Sequence, residues 1–251
     1  MNSVHIGRSE MKINIHDGYG ELELLKGSYE GGVHPFRCVL KAGACVTKPA
    51  DPFTLHIVCL TDGKGAVLTP GEVFAVNAVS FFVPDPREGY TIHAASDMEY
   101  TTFVVEQTES DRARFDSFHM KVPFFKRLKD CTEYCQDVHT GTSRSWSVIP
   151  TKRLCRVLMG VVSADTTGKD AAEGCVEKGH PAVAQWNVIF GDSDMTVSIA
   201  DETFDAAGGD FSYVKAGLDH SLLCKPGKKC SYIWFEHYVQ EKNYLVSYPQ
   251  A

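Results

Sequence analysis

The sequence predicts an all-β chain of two barrels joined by a helix-containing connector. Three observations carry this. Short β-branched and aromatic runs alternate with turn signals in two separate stretches of the 251 residues. A more highly charged segment with helical spacing in places lies between them. Each stretch also ends a strand-like run with a glycine-associated turn followed by a histidine, Gly89 to His93 and Gly217 to His220.

The first stretch, about 34–106, reads FRCVL, FTLHIVCL, GAVLT, EVFAVN, SFFVP, YTIHA and YTTFVVE. Its turns carry Asp62-Gly-Lys-Gly65, Thr69-Pro-Gly71 and Pro84-Asp-Pro86. Short strands at this spacing indicate a sandwich or a barrel. The second stretch, about 154–239, repeats the pattern in RVLMGVVS, AQWNVIFG, DMTVSIAD, FSYVKA, HSLLC and CSYIWFEHYV. The expected organisation is a barrel over 1–108, a connector over 109–150, and a second barrel with its tail over 151–251. An internal duplication explains the repeated pattern; the alternative is one continuous β-sandwich.

Composition narrows the function. The chain is 43% hydrophobic and 23% charged, with a net charge of −7. That is an ordinary globular balance. It gives no basic footprint for nucleic acid. No apolar run approaches the roughly 18 residues of a membrane span, and the N-terminal residues lack the apolar core of an export signal. A cytoplasmic location is the expectation. The nine cysteines are odd in number and scattered, which fits buried thiols better than a disulfide scaffold. Cys131 and Cys135 form a CxxxC pair without a second pair, a weak zinc signal. No glycine-rich phosphate loop and no G-x-S-x-G elbow is present.

The segment Gly209-Asp-Phe-Ser-Tyr-Val-Lys215-Ala-Gly217-Leu-Asp-His220 carries the most information. Its spacing is G-x5-K-x-G-x2-H. This segment resembles the second signature motif of the cupin superfamily, G-x5-P-x-G-x2-H, with Lys215 at the proline. The resemblance implies that the glycines turn the chain at a tight barrel corner and that the histidine then points from a strand into the barrel, where a metal ligand belongs. The first motif, G-x5-H-x-H-x3–4-E-x6-G, is matched by the region 177–191, with Lys178 at the first histidine, His180 at the second and Gln185 at the glutamate. In the first half, Gly43, Pro49, Asp51, His56 and Gly63 keep every interval of that motif while changing its residue types.

The resemblance covers about two-thirds of the chain. It implies two cupin-type barrels, each a double-stranded β-helix or jelly roll. It also implies a metal set of His180, Gln185 and His220, with Asp51, His56 and His93 as a second candidate set. Zn²⁺, Mn²⁺ or Fe²⁺ suits such ligands. Lys178 would repel a cation unless neutral or turned away. Glu177 could supply a carboxylate only through a turn or bulge, because strand neighbours face opposite sides. Lys178, Glu177 and Lys215 are the candidate proton carriers. The expected activity is Lewis-acid chemistry on a carbonyl-containing small molecule by a hydrolase, isomerase or lyase. The alternative is a metal-free small-ligand-binding or regulatory bicupin. The expected partners are a small-molecule substrate and, through the sheet faces, a second copy in a homodimer, with no nucleic acid and no membrane.

Overall fold

The computed structural model describes residues 4–27, 31–117, 120–242 and 244. The chain divides into two compact units. One comprises residues 11–26 and 32–131; the other comprises residues 1–10, 27–31 and 132–251.

The unit built mainly from the first half contains two antiparallel sheets. The six-stranded sheet runs in the order Phe124–Arg127, Ser80–Val83, Thr54–Asp62, Met98–Glu106, Val33–Leu40 and Tyr19–Glu23. The four-stranded sheet runs Cys45–Lys48, Tyr90–Ala94, Gly65–Leu68 and Val73–Val76. Strand alternation selects the core. In Tyr90–Ala94 the residues Tyr90, Ile92 and Ala94 are buried while His93 is exposed. They pack with Leu40, Val58, Leu60, Val67, Phe82, Met98 and Tyr100. Gly63 turns the chain at φ +90°. A side chain there would collide with the backbone carbonyl of Asp97, so only glycine lets the two segments meet.

The other unit repeats this plan. Its seven-stranded sheet runs His5–Ile6, Phe211–Val214, Val183–Ile189, Lys229–Tyr238, Val157–Asp165, Arg144–Leu154 and Thr132–Tyr134. Its four-stranded sheet runs Glu173–Glu177, His220–Cys224, Asp194–Ile199 and Glu202–Ala207. In both units the four-stranded sheet uses the same permutation of chain order, as do the central strands of the longer sheet, and this is the duplication the sequence pattern predicts. Met195, Val197, Leu222, Cys224, Tyr232 and Ile189 belong to its core.

The helical content of the middle segment is small. Among the described residues its one α-helix, Glu109–Arg114, is six residues long and is closed at its start by a reciprocal cap between Thr108 and Asp111. The chain then returns to strand, adding Phe124–Arg127 beside Ser80–Val83. None of the described helices is long and apolar enough to cross a membrane. None of the nine cysteines forms a disulfide, and all but Cys45 and Cys135 are buried.

Pairing aligns the two units residue by residue. Glu177 pairs with His220 in one four-stranded sheet, and Lys48 pairs with Tyr90 in the other. Gln185 pairs with Glu236 in one long sheet, and His56 pairs with Val104 in the other. The first unit therefore holds Lys48, His56, Tyr90 and Val104 where the second holds Glu177, Gln185, His220 and Glu236.

His56 is an interior residue in this arrangement. Its Nδ1 lies 2.9 Å from the Tyr90 hydroxyl. Burial, aided by the Lys48 charge, holds its pKa down to about 4. An unfolded chain takes up this proton below its ordinary value near 6.5, whereas the folded chain resists until about 4. The stability is thus present above pH 6.5 and is lost as the pH falls through that window. We expect about 2 kcal/mol to be lost between pH 7 and 4, after allowance for partial exposure. His56→Gln should flatten that dependence, as measured by urea midpoints of both proteins across the range.

Candidate functional site

The second unit encloses a cavity of about 290 Å³ whose lining includes Glu177, His180, Gln185, His220 and Glu236. Local backbone geometry gathers these side chains. The strand Glu173–Glu177 ends at Glu177, and residues 178–180 leave extended pairing. Gly217, at φ +89°, forms the corner of the motif turn before His220. Gly179 lies directly against it: any side chain on Gly179 would collide with the Gly217 carbonyl. The Gly217 N–H donates to the His180 carbonyl at 2.9 Å, and the Gly179 N–H donates to Asp219 at 2.9 Å. This close approach turns His180 back toward the strand end, so that Glu177 and His180 point at the same place despite their spacing.

Glu177, His180 and His220 form a cluster whose potential ligand atoms all lie within 4.8 Å of one another. Oε2 of Glu177 is 3.1 Å from Nε2 of His180 and 3.3 Å from Nε2 of His220. The imidazole rings are 5.9 Å apart. The His220 side chain is only 2% exposed. Its Nδ1 lies 3.2 Å from the Leu218 carbonyl. Only a protonated Nδ1 can donate there, which in the neutral ring leaves Nε2 as the nitrogen with the lone pair. That buried Nε2 makes no hydrogen bond. A buried lone pair facing a carboxylate, with the opposite ring nitrogen tied to a backbone carbonyl, fits a divalent cation. Cis donors on such an ion stand about 3 Å apart for bonds of about 2.1 Å.

Gln185 is buried on the strand Val183–Ile189 and lines the cavity. Its amide nitrogen donates to Asn187 at 2.8 Å, and Asn187 donates to Ser212 at 3.1 Å. The relay occupies the amide nitrogen and leaves the carbonyl oxygen as the group available to a cation.

The electrostatics set the two carboxylates apart. Burial alone would raise Glu177, but its hydrogen bond with His180 and the two imidazoles beside it hold it well below the usual carboxylate range. The Glu177 bond in turn raises His180 against the opposing effect of burial. Glu236, whose Oε1 lies 3.7 Å from Nε2 of His180, is pushed up to about 7 by burial and by the Glu177 charge, despite the histidines. Tyr134 is pushed up to about 12, first by burial and then by Glu177 and Glu236, so its phenol keeps its proton. Burial also pushes the Cys175 thiol up, which disfavours a thiolate nucleophile. Tyr134, Gln136 and His139 reach the cavity because their segment docks on the edge of Glu173–Glu177: Thr140 N–H donates to the Gly174 carbonyl at 2.9 Å, and Val176 N–H donates to the Val138 carbonyl at 3.0 Å.

The other sequence candidates are placed differently. Lys178 and Lys215 are exposed and are not among the residues that line the cavity. Asp51 and His56 line one small pocket of the first unit, and the exposed His93 does not join them. Asp51 caps a turn, accepting from the Phe53 N–H and the Thr54 hydroxyl, each at 2.9 Å. His93 points outward, three residues beyond Tyr90, which occupies the position equivalent to His220. Glu236 and Tyr134 were not singled out from sequence. The signal for Glu236 was the alternation of Cys230, Tyr232, Trp234 and Glu236, one acid on an otherwise apolar or aromatic strand face.

No family profile matches the sequence, and no curated protein matches it. Solved structures do. A Pseudomonas aeruginosa protein described as glyoxylate-induced aligns with a TM-score of 0.74 at 9% identity, covering 94% of this chain and 89% of its own. A Bacillus subtilis oxalate decarboxylase with Mn(II) centres aligns at 0.67 and 11% identity, covering 100% and 85%. A cupin 2 conserved barrel domain protein from Leptotrichia buccalis aligns at 0.61 and 12% identity, covering 94% and 97%. The chain has the bicupin fold. At these identities the likeness establishes architecture, and the chemistry of this chain has to be argued from its own residues.

The Gly179–Gly217 contact should be sensitive to a single methyl group. We expect Gly179→Ala to destabilise the chain by about 2 kcal/mol and to weaken divalent-cation uptake at least tenfold. Gly71→Ala is the control, because a side chain there meets no neighbour within 4 Å. Thermal melts and metal titration of both variants provide the measurement.

Proposed function

We propose that this bicupin is a metal-dependent enzyme acting by Lewis-acid chemistry on a carbonyl-containing small molecule, with its working site in the second barrel. Glu177, His180 and His220 would hold the cation, with the Gln185 carbonyl as a further donor. One observation carries the reading: the buried, hydrogen-bond-free Nε2 of His220 faces the Glu177 carboxylate while its Nδ1 is tied to Leu218. The Mn(II) centres of the structurally similar Bacillus subtilis oxalate decarboxylase support it. Two imidazoles, a carboxylate and an amide oxygen suit Mn²⁺, Fe²⁺ or Zn²⁺.

Bound there, a divalent cation supplies Lewis acidity, withdrawing electron density from a substrate carbonyl or lowering the pKa of a water. The chain supplies the remaining functions. Glu236, titrating near neutrality on the facing wall, can accept a proton from substrate or return one. Tyr134 keeps its proton and can donate a hydrogen bond to a developing negative charge. Ile149, Leu158, Val162 and Leu222 form apolar wall that limits water around the reacting group. Proton transfer is thus assigned to Glu236 and Tyr134 rather than to Lys178 or Lys215. The first barrel, with Lys48 at the position of Glu177, serves as packing.

Metal content after equilibration with Mn²⁺, Fe²⁺ or Zn²⁺ and removal of free ion tests this reading. We expect about one ion per chain and at least a hundredfold weaker binding in both Glu177→Gln and His220→Ala, with Lys178→Ala and Lys215→Ala unchanged. Failure of the wild-type protein to retain any of the three ions would instead leave a metal-free binding pocket.

A further inference from the structure

Beyond its metal-binding corner, the cavity has an unusual charge balance. Its described lining carries two carboxylates, Glu177 and Glu236, and three histidines, but no lysine and no arginine. The two carboxylates differ in what answers them. Glu177 is engaged by both His180 and His220. Glu236 accepts no hydrogen bond from any described residue, and its nearest basic atom is the His180 Nε2 at 3.7 Å. Its side chain is only 14% exposed. A buried carboxylate without donors is costly, because nothing in the protein replaces the water it gave up. The walls beside it are aromatic, with Tyr134, Tyr232 and Trp234 all lining the same space. Ring faces attract cations and have no comparable affinity for anions. A divalent cation held by Glu177 and its histidines would balance two negative charges without giving Glu236 a hydrogen-bond donor.

From this geometry we infer that the cavity binds a small molecule carrying a cationic nitrogen group, an amine, amidine or guanidine, with Glu236 as its counter-ion. The inference rests on reading the cavity as the site of small-molecule chemistry and adds the charge class of the molecule. The group that meets the cation would then sit about one functional group away from the nitrogen held by Glu236. A dicarboxylate finds no lysine or arginine here and would place its second charge against Glu236.

Two probes of nearly the same shape separate charge from fit: acetamidinium and acetamide. Titration at pH 8, followed by NMR of the full chain, should show acetamidinium binding at least tenfold more tightly than acetamide. Intermolecular contacts from its methyl group should fall on Trp234 and Leu222. In Glu236→Gln the preference should shrink to threefold or less while Mn²⁺ stoichiometry is retained. Equal affinity of the two probes for the wild-type protein, contacts elsewhere on the surface, or an undiminished preference in the variant would each overturn the inference. If the variant does not fold, the wild-type preference and contact map still decide the matter. Running the titrations with and without Mn²⁺ separates this inference from the metal-enzyme reading. Preference for the cation in a protein that retains no metal would sink the enzyme proposal alone, and metal uptake without preference would sink the charge assignment alone.

Discussion

The backbone contact between Gly179 and Gly217 is the constraint on which the second barrel's site depends. It joins a loop leaving one strand to a turn entering the neighbouring strand, and hydrogen bonds on either side fasten both. A side chain on Gly179 would force the loops apart, and one on Gly217, though it meets no neighbour within 4 Å, would be strained by the left-handed backbone. Everything chemical follows from the resulting gap between strands. His220 is aimed by the turn, His180 by the loop, and Glu177 by being the last paired residue before the loop begins. The site is therefore built by backbone geometry first, and its side chains take their places within tolerances that the two glycines set.

Much of the architecture was legible in the sequence because barrel strands are short, alternate in polarity and end in recognisable turns. The paired stretches, the weakly helical middle and the turn before His220 all follow from local rules. The role of Glu177 was less accessible. Period-two alternation sets it apart from its neighbours for as long as the chain remains extended, and the departure from the strand at 178–180 depends on a contact with Gly217, nearly forty positions later. A similar limit applies to the first half. The motif intervals survive there, yet His93 falls out of phase with the equivalent of His220. Spacing counts residues along the chain, whereas a site depends on which face of the sheet each residue occupies, and a shift of odd length exchanges the faces.

The two barrels show how one scaffold can carry opposite electrostatics. At equivalent positions one has a lysine beside a histidine kept neutral by burial, and the other has a carboxylate between two imidazoles. In the first, Tyr90 fills the space with an aromatic ring and satisfies His56 through its hydroxyl. In the second, the same space stays open and its polar atoms face inward. Replacing interior polarity by bulk closes a pocket without disturbing the sheets around it, because strand pairing depends on backbone groups that both barrels retain. The lysine that looked like an obstacle to metal binding in the second barrel lies outside the cavity, while the lysine with that effect belongs to the first.

The short strand His5–Ile6 has a consequence for how the molecule is assembled. It pairs with Phe211–Val214, and Asp210 accepts from the Arg8 backbone across a separation of 202 residues. Ser212, opposite His5 in that pairing, is also the last member of the relay that orients Gln185. During synthesis these early residues must wait, unpaired, until the far barrel emerges and offers its edge. The second barrel therefore reaches its finished form by accepting a strand made long before it, which ties the completion of its interior to the survival of a segment that stays without a sheet until its distant partner has been made.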